Sequence, residues 1–256
     1  MPSLMIEQFP CREDNFGVLV HDPATKLTAA IDAPDAAAVE RALARTGWTL
    51  THILVTHHHG DHVEGILPLK ERHGAKVVAN RADAHRIPGV DVTVEPGQSF
   101  RFGSHEAEII DTPGHTVGHI AWHFPQANVA FVGDTLFSLG CGRVIEGTMD
   151  QMWSSLERLR RLPDDTKIYC GHEYTVANAK FALSVDPENP ALQARAREAD
   201  AERAQGKATL PVTIGAEKRE NPFLRPEDPA IRRGLGMEKA KDAEVFGELR
   251  QRKNRF

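Results

Sequence analysis

The segment Thr56-His57-His58-His59-Gly60-Asp61-His62 constrains this chain more than any other part of it. It follows directly on the apolar run His52-Ile-Leu-Val-Thr56, which reads as a buried strand, so the histidines begin where that strand ends. Loops at strand ends are where a rigid sheet can hold side chains at fixed distances. Three further groups stand in the same relation to predicted strands: Pro113-Gly114-His115, Gly133-Asp134 and Gly171-His172. A single histidine is ordinarily a surface or satisfied core residue. Four such groups, each just past a strand, point instead to a metal centre, and imidazole with carboxylate suits Zn, Fe or Mn better than Ca or Mg. The HxHxDH spacing lets the loop aim His57 and His59 one way, while Asp61 and His62, at the start of the next helix, address a second ion. On this reading His58 points away from the ions and His119 supports its loop. His21, His52, His73, His85, His105 and His123 have no such company and are structural or surface residues.

The rest of the chain reads as a mixed α/β part of about 170 residues followed by a smaller helical part. Strands are predicted at 4–9, 17–21, 27–32, 52–56, 76–79, 90–94, 107–111, 120–124, 129–132 and 166–170. Asp35 is a helix N-cap and Gly47 the matching stop, with Ala38, Val39, Ala42 and Leu43 on one face. Residues 63–73 read as a helix that Pro68 bends or shortens. Trp153, Leu156, Leu159 and Leu162 mark a helix over 151–162. Helices follow at 174–183, 191–205 and 242–255, and 211–225 reads as an irregular linker rich in proline.

Of the 256 residues 41% are hydrophobic and 26% charged, the ordinary balance of a globular protein. A net charge of −5 argues against a general nucleic-acid or membrane-surface binder. No apolar stretch approaches the roughly 20 residues that span a bilayer, and the first residues lack the basic start and apolar run of a signal peptide. A cytoplasmic location is expected, with no nucleic-acid or membrane partner. Cys11, Cys141 and Cys170 show no CxxC spacing, which argues against a disulfide framework.

The THxHxDH signature, the PGHTxGH loop, the GD motif and the late GH resemble the metallo-β-lactamase superfamily over residues 4 to about 173. That resemblance implies an α/β fold, a four-layer αββα sandwich with two metals at one edge of its sheets, followed by a smaller α-helical C-terminal domain. By motif, metal 1 would take His57, His59 and His115, metal 2 would take Asp61, His62 and His172, and Asp134 would bridge them. The second half is more specific. Residues 133–148 (GDTLFSLGCGRVIEGT), 169–182, 213–225 (TIGAEKRENPFLR) and 249–256 (LRQRKNRF) are similar, end to end, to the glyoxalase II (hydroxyacylglutathione hydrolase) family. The resemblance divides the chain into a catalytic domain, 1–173, and a helical glutathione-binding domain, 174–256.

The same resemblance implies hydrolysis of a glutathione thioester, chiefly S-D-lactoylglutathione, by a water that two divalent ions activate, zinc first with iron or manganese open. Asp61 and Asp134 would orient that water, no protein nucleophile is required, and the chain would act as a monomer. Arg143, Ile145, His172, Tyr174, Arg250 and Lys253 occupy the family's substrate-contact positions. Arg250 and Lys253, three apart on the last predicted helix, share a face and suit a carboxylate, although a solvated basic helix end has the same spacing. Ile145 departs from the family, which commonly has an aromatic residue there. The rival readings are a one-iron sulfur dioxygenase, a nuclease, a lactonase, and a metal-binding module without catalysis. The dioxygenase ligand set omits metal 2 and that family lacks the ENPFLR and LRxxKNxF endings, the nuclease and lactonase readings fit the first half only, and a full ligand set with a substrate-binding tail speaks against the last.

Overall fold

In the computed structural model, which describes residues 3–256, the chain begins with three strands: β1 (Met5–Cys11), β2 (Asn15–Asp22) and β3 (Leu27–Ile31). They are joined by tight turns and therefore pair antiparallel. From β3 onward the connections contain helices and the strands turn parallel. The helix α1 (Ala36–Thr46) leads to β4 (His52–Leu54), and α2 (Gly60–Val63) with α3 (Ile66–His73) leads to β5 (Lys76–Asn80) and then β6 (Val92–Val94). Their order in the sheet follows their order in the chain. A second run, β7 (Ser99–Phe102), β8 (His105–Asp111), β9 (Ile120–Phe124) and β10 (Val129–Gly133), is antiparallel throughout.

By packing, the chain forms two compact units. One comprises Met1–Asp111 with Thr116–Gly133, the other Thr112–His115 with Asp134–Phe256. In the first unit the pleat sorts the core. Leu19, Ala30, Ile53 and Val77 form one cross-strand row and pack with Val39, Leu43, Ile66 and Leu69 of α1 and α3. The neighbouring row, Val18, Ile31, Leu54 and Val78, is buried on the opposite face. That face meets the second sheet: the His52 ring lies 5.5 Å from that of Phe102, and Trp122 Nε1 donates to Val55 O at 3.1 Å. Helix α1 starts and stops as its sequence requires. Asp35 accepts from Ala38 N, and Gly47 ends the helix at φ 70°.

The second unit contains the short hairpin β11 (Leu136–Phe137) and β12 (Gly140–Cys141), α4 (Met149–Arg160), β13 (Lys167–Cys170), α5 (Thr175–Val185) and α6 (Pro190–Ala204). It continues with β14 (Val212–Thr213), α7 (Ile214–Glu220), α8 (Pro229–Leu235) and α9 (Asp242–Arg255). Leu139, Ala179, Ala182, Leu192 and Ala196 form one cluster. An aromatic chain from Trp153 through Phe246 and Phe223 to Phe181 joins the helices, with ring centroids 5.6–6.2 Å apart.

Three sequence expectations are corrected. The 63–73 helix breaks at Glu64–Gly65, where Gly65 lies so close to Ala33 O that no side chain fits, and Pro68 sits harmlessly in the first turn of α3. The helix expected from 151 starts earlier because Thr148 and Gln151 form a capping box. The 211–225 segment is ordered: it contains β14, α7 and a 3₁₀ turn at Pro222–Leu224. Its prolines bracket α7, and that helix shows no apolar stripe because its inward residues include Glu217 and Glu220. The edge strand β7 and the helix α8 were not anticipated at all.

Glu217 is wholly enclosed, and burial above all, with the nearby Glu220 charge, pushes its carboxyl up to about 8 against the hydrogen bonds from Asn221 and Leu139. The folded chain thus keeps this proton to about pH 8, whereas an ordinary Glu releases it near 4.5. Linkage then takes stability away as pH rises from 4.5 to about 8. Denaturant unfolding at several pH values should show wild type losing up to about 5 kcal/mol relative to Glu217→Gln across that window. Equal slopes in the two proteins would exclude a neutral buried acid.

Candidate metal centre and substrate cavity

In the first unit the histidine cluster is organised by a residue the sequence reading did not single out. Asp32, at the end of β3, takes the left-handed conformation (φ 56°) that Asp tolerates better than most residues. Its carboxylate accepts from Thr56 N at 2.7 Å, Thr56 Oγ1 at 2.8 Å and His62 Nδ1 at 2.8 Å. Thr56 Oγ1, having donated to Asp32, accepts from His57 Nδ1 at 3.0 Å. Both imidazoles are thereby fixed with the proton on Nδ1 and the lone pair on Nε2, the arrangement that carboxylates and hydroxyls impose on metal-binding histidines. The carboxylate of Asp32 lies within 4.8 Å of the ligand atoms of His57 and His62, but its oxygens are committed to these donors, so it acts as a holder.

The rings of His57 and His62 lie 4.1 Å apart and those of His57 and His59 4.9 Å apart, while His119 stacks on His57 at 4.8 Å. Asp61, beside His62 at the start of α2, accepts from Asn15 Nδ2 at 3.1 Å, and the same amide holds Asp61 O. Asn15 is a second residue that sequence reasoning missed. His58 lies edge to face with His59, ring centroids 5.0 Å apart, but its Nδ1 is engaged by Asp83 Oδ2 at 2.9 Å. Gly133 is obligatory here. At φ 47° an added Cβ would lie 2.6 Å from Thr56 Oγ1 and 2.7 Å from His119 Nε2. The cluster thus offers Nε2 atoms and a carboxylate on fixed supports, a donor set that fits a divalent transition metal.

In the second unit His115 sits on a loop held by α4. Ser155 Oγ donates to Pro113 O at 2.7 Å, and a Cβ on Gly114 (φ 145°) would strike Met152. His115 Nδ1 is engaged by the backbone O of Arg143 at 2.9 Å, which again leaves Nε2 as the lone-pair donor. Asp134 Oδ2 lies 3.5 Å from His115 Nε2 and 3.2 Å from His172 Nε2, so one carboxylate oxygen is set between two imidazoles. The His172 ring is backed by Tyr174, stacked at 4.8 Å. Gly142 must lack a side chain because Asp134 O occupies the place of its Cβ.

His115 and Asp134 line a cavity of about 400 Å³ with Arg143, Tyr174, Arg250 and Lys253. Arg250 is 4% exposed. It donates to Cys141 O at 2.7 Å and lies 5.3 Å over the Phe223 ring, while its buried Nε has no partner among the described residues. Lys253 donates to Ala177 O at 3.0 Å. Burial, and then the charge of Arg250, pull the Lys253 ammonium below its ordinary pKa. Two cations pressed together in a partly dry cavity are stabilised by a bound anion. Ile145 is 58% exposed and is not among the lining residues. Cys141 and Cys170 are buried, with both thiols pushed up chiefly by burial, which keeps them protonated and unreactive.

Two family models match consecutive parts of the chain, meeting at residues 172 and 173. The family described as Hydroxyacylglutathione hydrolase C-terminus matches residues 173–256, and the Metallo-beta-lactamase superfamily matches residues 13–172. Curated proteins named hydroxyacylglutathione hydrolase are similar along their whole length. That of Maricaulis maris is 55% identical, with each chain covered entirely, and that of Rhizobium meliloti 56% identical, likewise in full. That of Mesorhizobium japonicum is 58% identical over 99% of this chain and 100% of its own. Among solved structures, ETHE1 from Myxococcus xanthus is 28% identical, with a TM-score of 0.69 over 96% of this chain and 90% of its own. TTHA1623 in a di-iron-bound form, 23% identical with a TM-score of 0.61 over 86% of this chain and 100% of its own, shares the fold.

The holding role of Asp32 can be checked without turnover. Asp32→Ala should retain 10–100-fold less metal affinity than wild type when the purified proteins compete with a chelator for zinc. Unchanged affinity would mean that Asp32 orients nothing. With histidine- and aspartate-bearing loops at strand ends, a helical C-terminal part and end-to-end similarity of this degree, the chain belongs to the hydroxyacylglutathione hydrolase (glyoxalase II) family of the metallo-β-lactamase superfamily.

Proposed function

We propose that the chain is a thioester hydrolase that cleaves S-(2-hydroxyacyl)glutathione, chiefly S-D-lactoylglutathione, to D-lactate and glutathione. The observation that carries this reading is the cavity in which His115 and Asp134 share one space with Arg143, Arg250 and Lys253. Glutathione has two carboxylates and one ammonium group, so a site for it needs cations and hydrogen-bond donors. Arg250 and Lys253 take the glycine carboxylate, and Arg143 and Tyr174 contact the peptide. Ile145, lacking a hydroxyl or ring, contributes at most backbone contact.

On this reading His57, His59 and His115 hold one divalent ion, Asp61, His62 and His172 hold a second, and Asp134 serves both. Bound there, such ions lower the pKa of water so that hydroxide exists near pH 7, and they polarise a carbonyl oxygen. Zinc suits these donors first, with iron or manganese as alternatives. Asp61, fixed by Asn15, and Asp134 orient the attacking water. The water gives up one proton as its oxygen bonds to the thioester carbon, the C–S bond breaks, and sulfur departs with the electron pair as glutathione thiolate, which takes up a proton from solvent to become the thiol. A thiolate leaves readily because its pKa is far below that of an alkoxide, and no protein nucleophile takes part. Residues 1–173 act as the catalytic domain and 174–256 as the glutathione-binding domain of a cytoplasmic monomer, with no nucleic-acid or membrane partner. Among the described residues no helix is long and apolar enough to cross a membrane.

Purified metal-replete protein should consume S-D-lactoylglutathione and stop when a chelator strips it. Absence of turnover in the metal-replete protein would sink the assignment. Arg250→Ala and Lys253→Ala should each raise KM about tenfold or more while kcat stays near wild type, because both bind away from the reacting carbon. A collapse of kcat at unchanged KM would remove them from the carboxylate site.

A further inference from the structure

The hairpin that contributes Phe137 and Cys141 to the cavity is held in an unfavourable shape. Leu139, at its tip, is fully buried and adopts φ 57°, a conformation rare for a bulky residue without special local support. Side chains from three helices grip the backbone around it. Glu217 Oε2 accepts from Leu139 N at 2.9 Å and from Asn221 Nδ2 at 2.8 Å. Asn221 Nδ2 also reaches Gly140 O at 2.9 Å and Phe137 O at 3.3 Å. Asn178 Nδ2 donates to Ser138 O at 3.1 Å, and Arg250 donates to Cys141 O. Gly140 has no room for a side chain, since its Cβ would lie 2.4 Å from the Asn178 amide.

We propose that Glu217 is a positioning residue for substrate binding: through Leu139 N–H and Asn221 it keeps the Leu136–Cys141 hairpin in the strained shape that sets the cavity wall and the seat of Arg250. A buried acid is an expensive way to fill a core, and a leucine would fill this one without the desolvation cost. What the acid supplies is an acceptor at the point where strained backbone leaves an N–H to satisfy. Glu217 Oε1 has no partner among the described residues, so it is where the proton of the neutral acid resides, and a glutamine amide can take its place. Glu217 touches neither the substrate cations nor the metal ligands directly; it acts through the hairpin.

The inference rests on the thioesterase reading for its kinetic arm only, so two arms are measured. In the first, amide hydrogen exchange of the full-length protein without substrate should show the 136–142 segment exchanging at least tenfold faster in Glu217→Asp, whose carboxylate falls one methylene short, than in wild type or Glu217→Gln. In the second, Glu217→Asp and Glu217→Ala should raise KM for S-D-lactoylglutathione about tenfold with kcat within about threefold of wild type, and Glu217→Gln should restore KM. If Glu217→Ala does not fold, Glu217→Asp and Glu217→Gln carry the test. Unchanged exchange in Glu217→Asp overturns the hold on the hairpin. Faster exchange with unchanged KM, or Glu217→Gln as impaired as Glu217→Asp, overturns the positioning role. No turnover in wild type removes the thioesterase reading and leaves the exchange result to decide the hairpin.

Discussion

The carboxylate of Asp32 accepts three hydrogen bonds, from Thr56 N, Thr56 Oγ1 and His62 Nδ1, and the first unit's chemistry depends on them. A buried imidazole can carry its proton on either nitrogen, and only one tautomer presents Nε2 as a ligand. Asp32 settles the question for His62 directly and for His57 through Thr56. The same contacts tie the end of β3 to the loop after β4, so the geometry of the sheet is passed to the rings without a flexible intermediary. Gly133 completes the arrangement by leaving room for Thr56 and His119. The histidines are thus the visible part of a site whose precision comes from the hydrogen bonds that hold them.

The second unit applies the same logic with different groups. A backbone carbonyl orients His115, a tyrosine ring backs His172, and glycines at 114 and 142 let helix and loop approach where a side chain would intrude. Its cavity differs in charge. Arg250 is buried, leans on the Phe223 ring and is held by Cys141 O, and Lys253 is depressed by its surroundings. Charged groups kept this dry are costly unless an anion or a strong hydrogen-bond acceptor meets them. An anion bound there would offset that cost, while Glu217, wholly enclosed, fixes the wall beside it.

Much of the architecture was legible in the chain because period and caps speak locally. Asp35 and Gly47 bounded α1 as expected, and α9 spans the residues its composition indicated. The segments read wrongly or missed have physical causes that lie outside local pattern. Helix α7 is short and turns Glu217 and Glu220 inward, so it has no apolar stripe, and α8 is as short and was not read. The boundary between α2 and α3 depends on the approach of Gly65 to Ala33, a contact distant in sequence.

By itself the sequence determined the placement of the histidine and aspartate motifs at strand ends, the helical C-terminal part and the family, because such motifs and cap residues are written as short, spaced signals. It could not determine which tautomer each histidine adopts, that Asp32 and Asn15 hold the cluster, that His58 turns to Asp83, or that Ile145 stands outside the cavity. The first three are decided by hydrogen bonds between residues tens of positions apart, the last by the path of the loop after Arg143. Such partners share no period and no spacing, and only the folded backbone brings them within hydrogen-bond distance of one another.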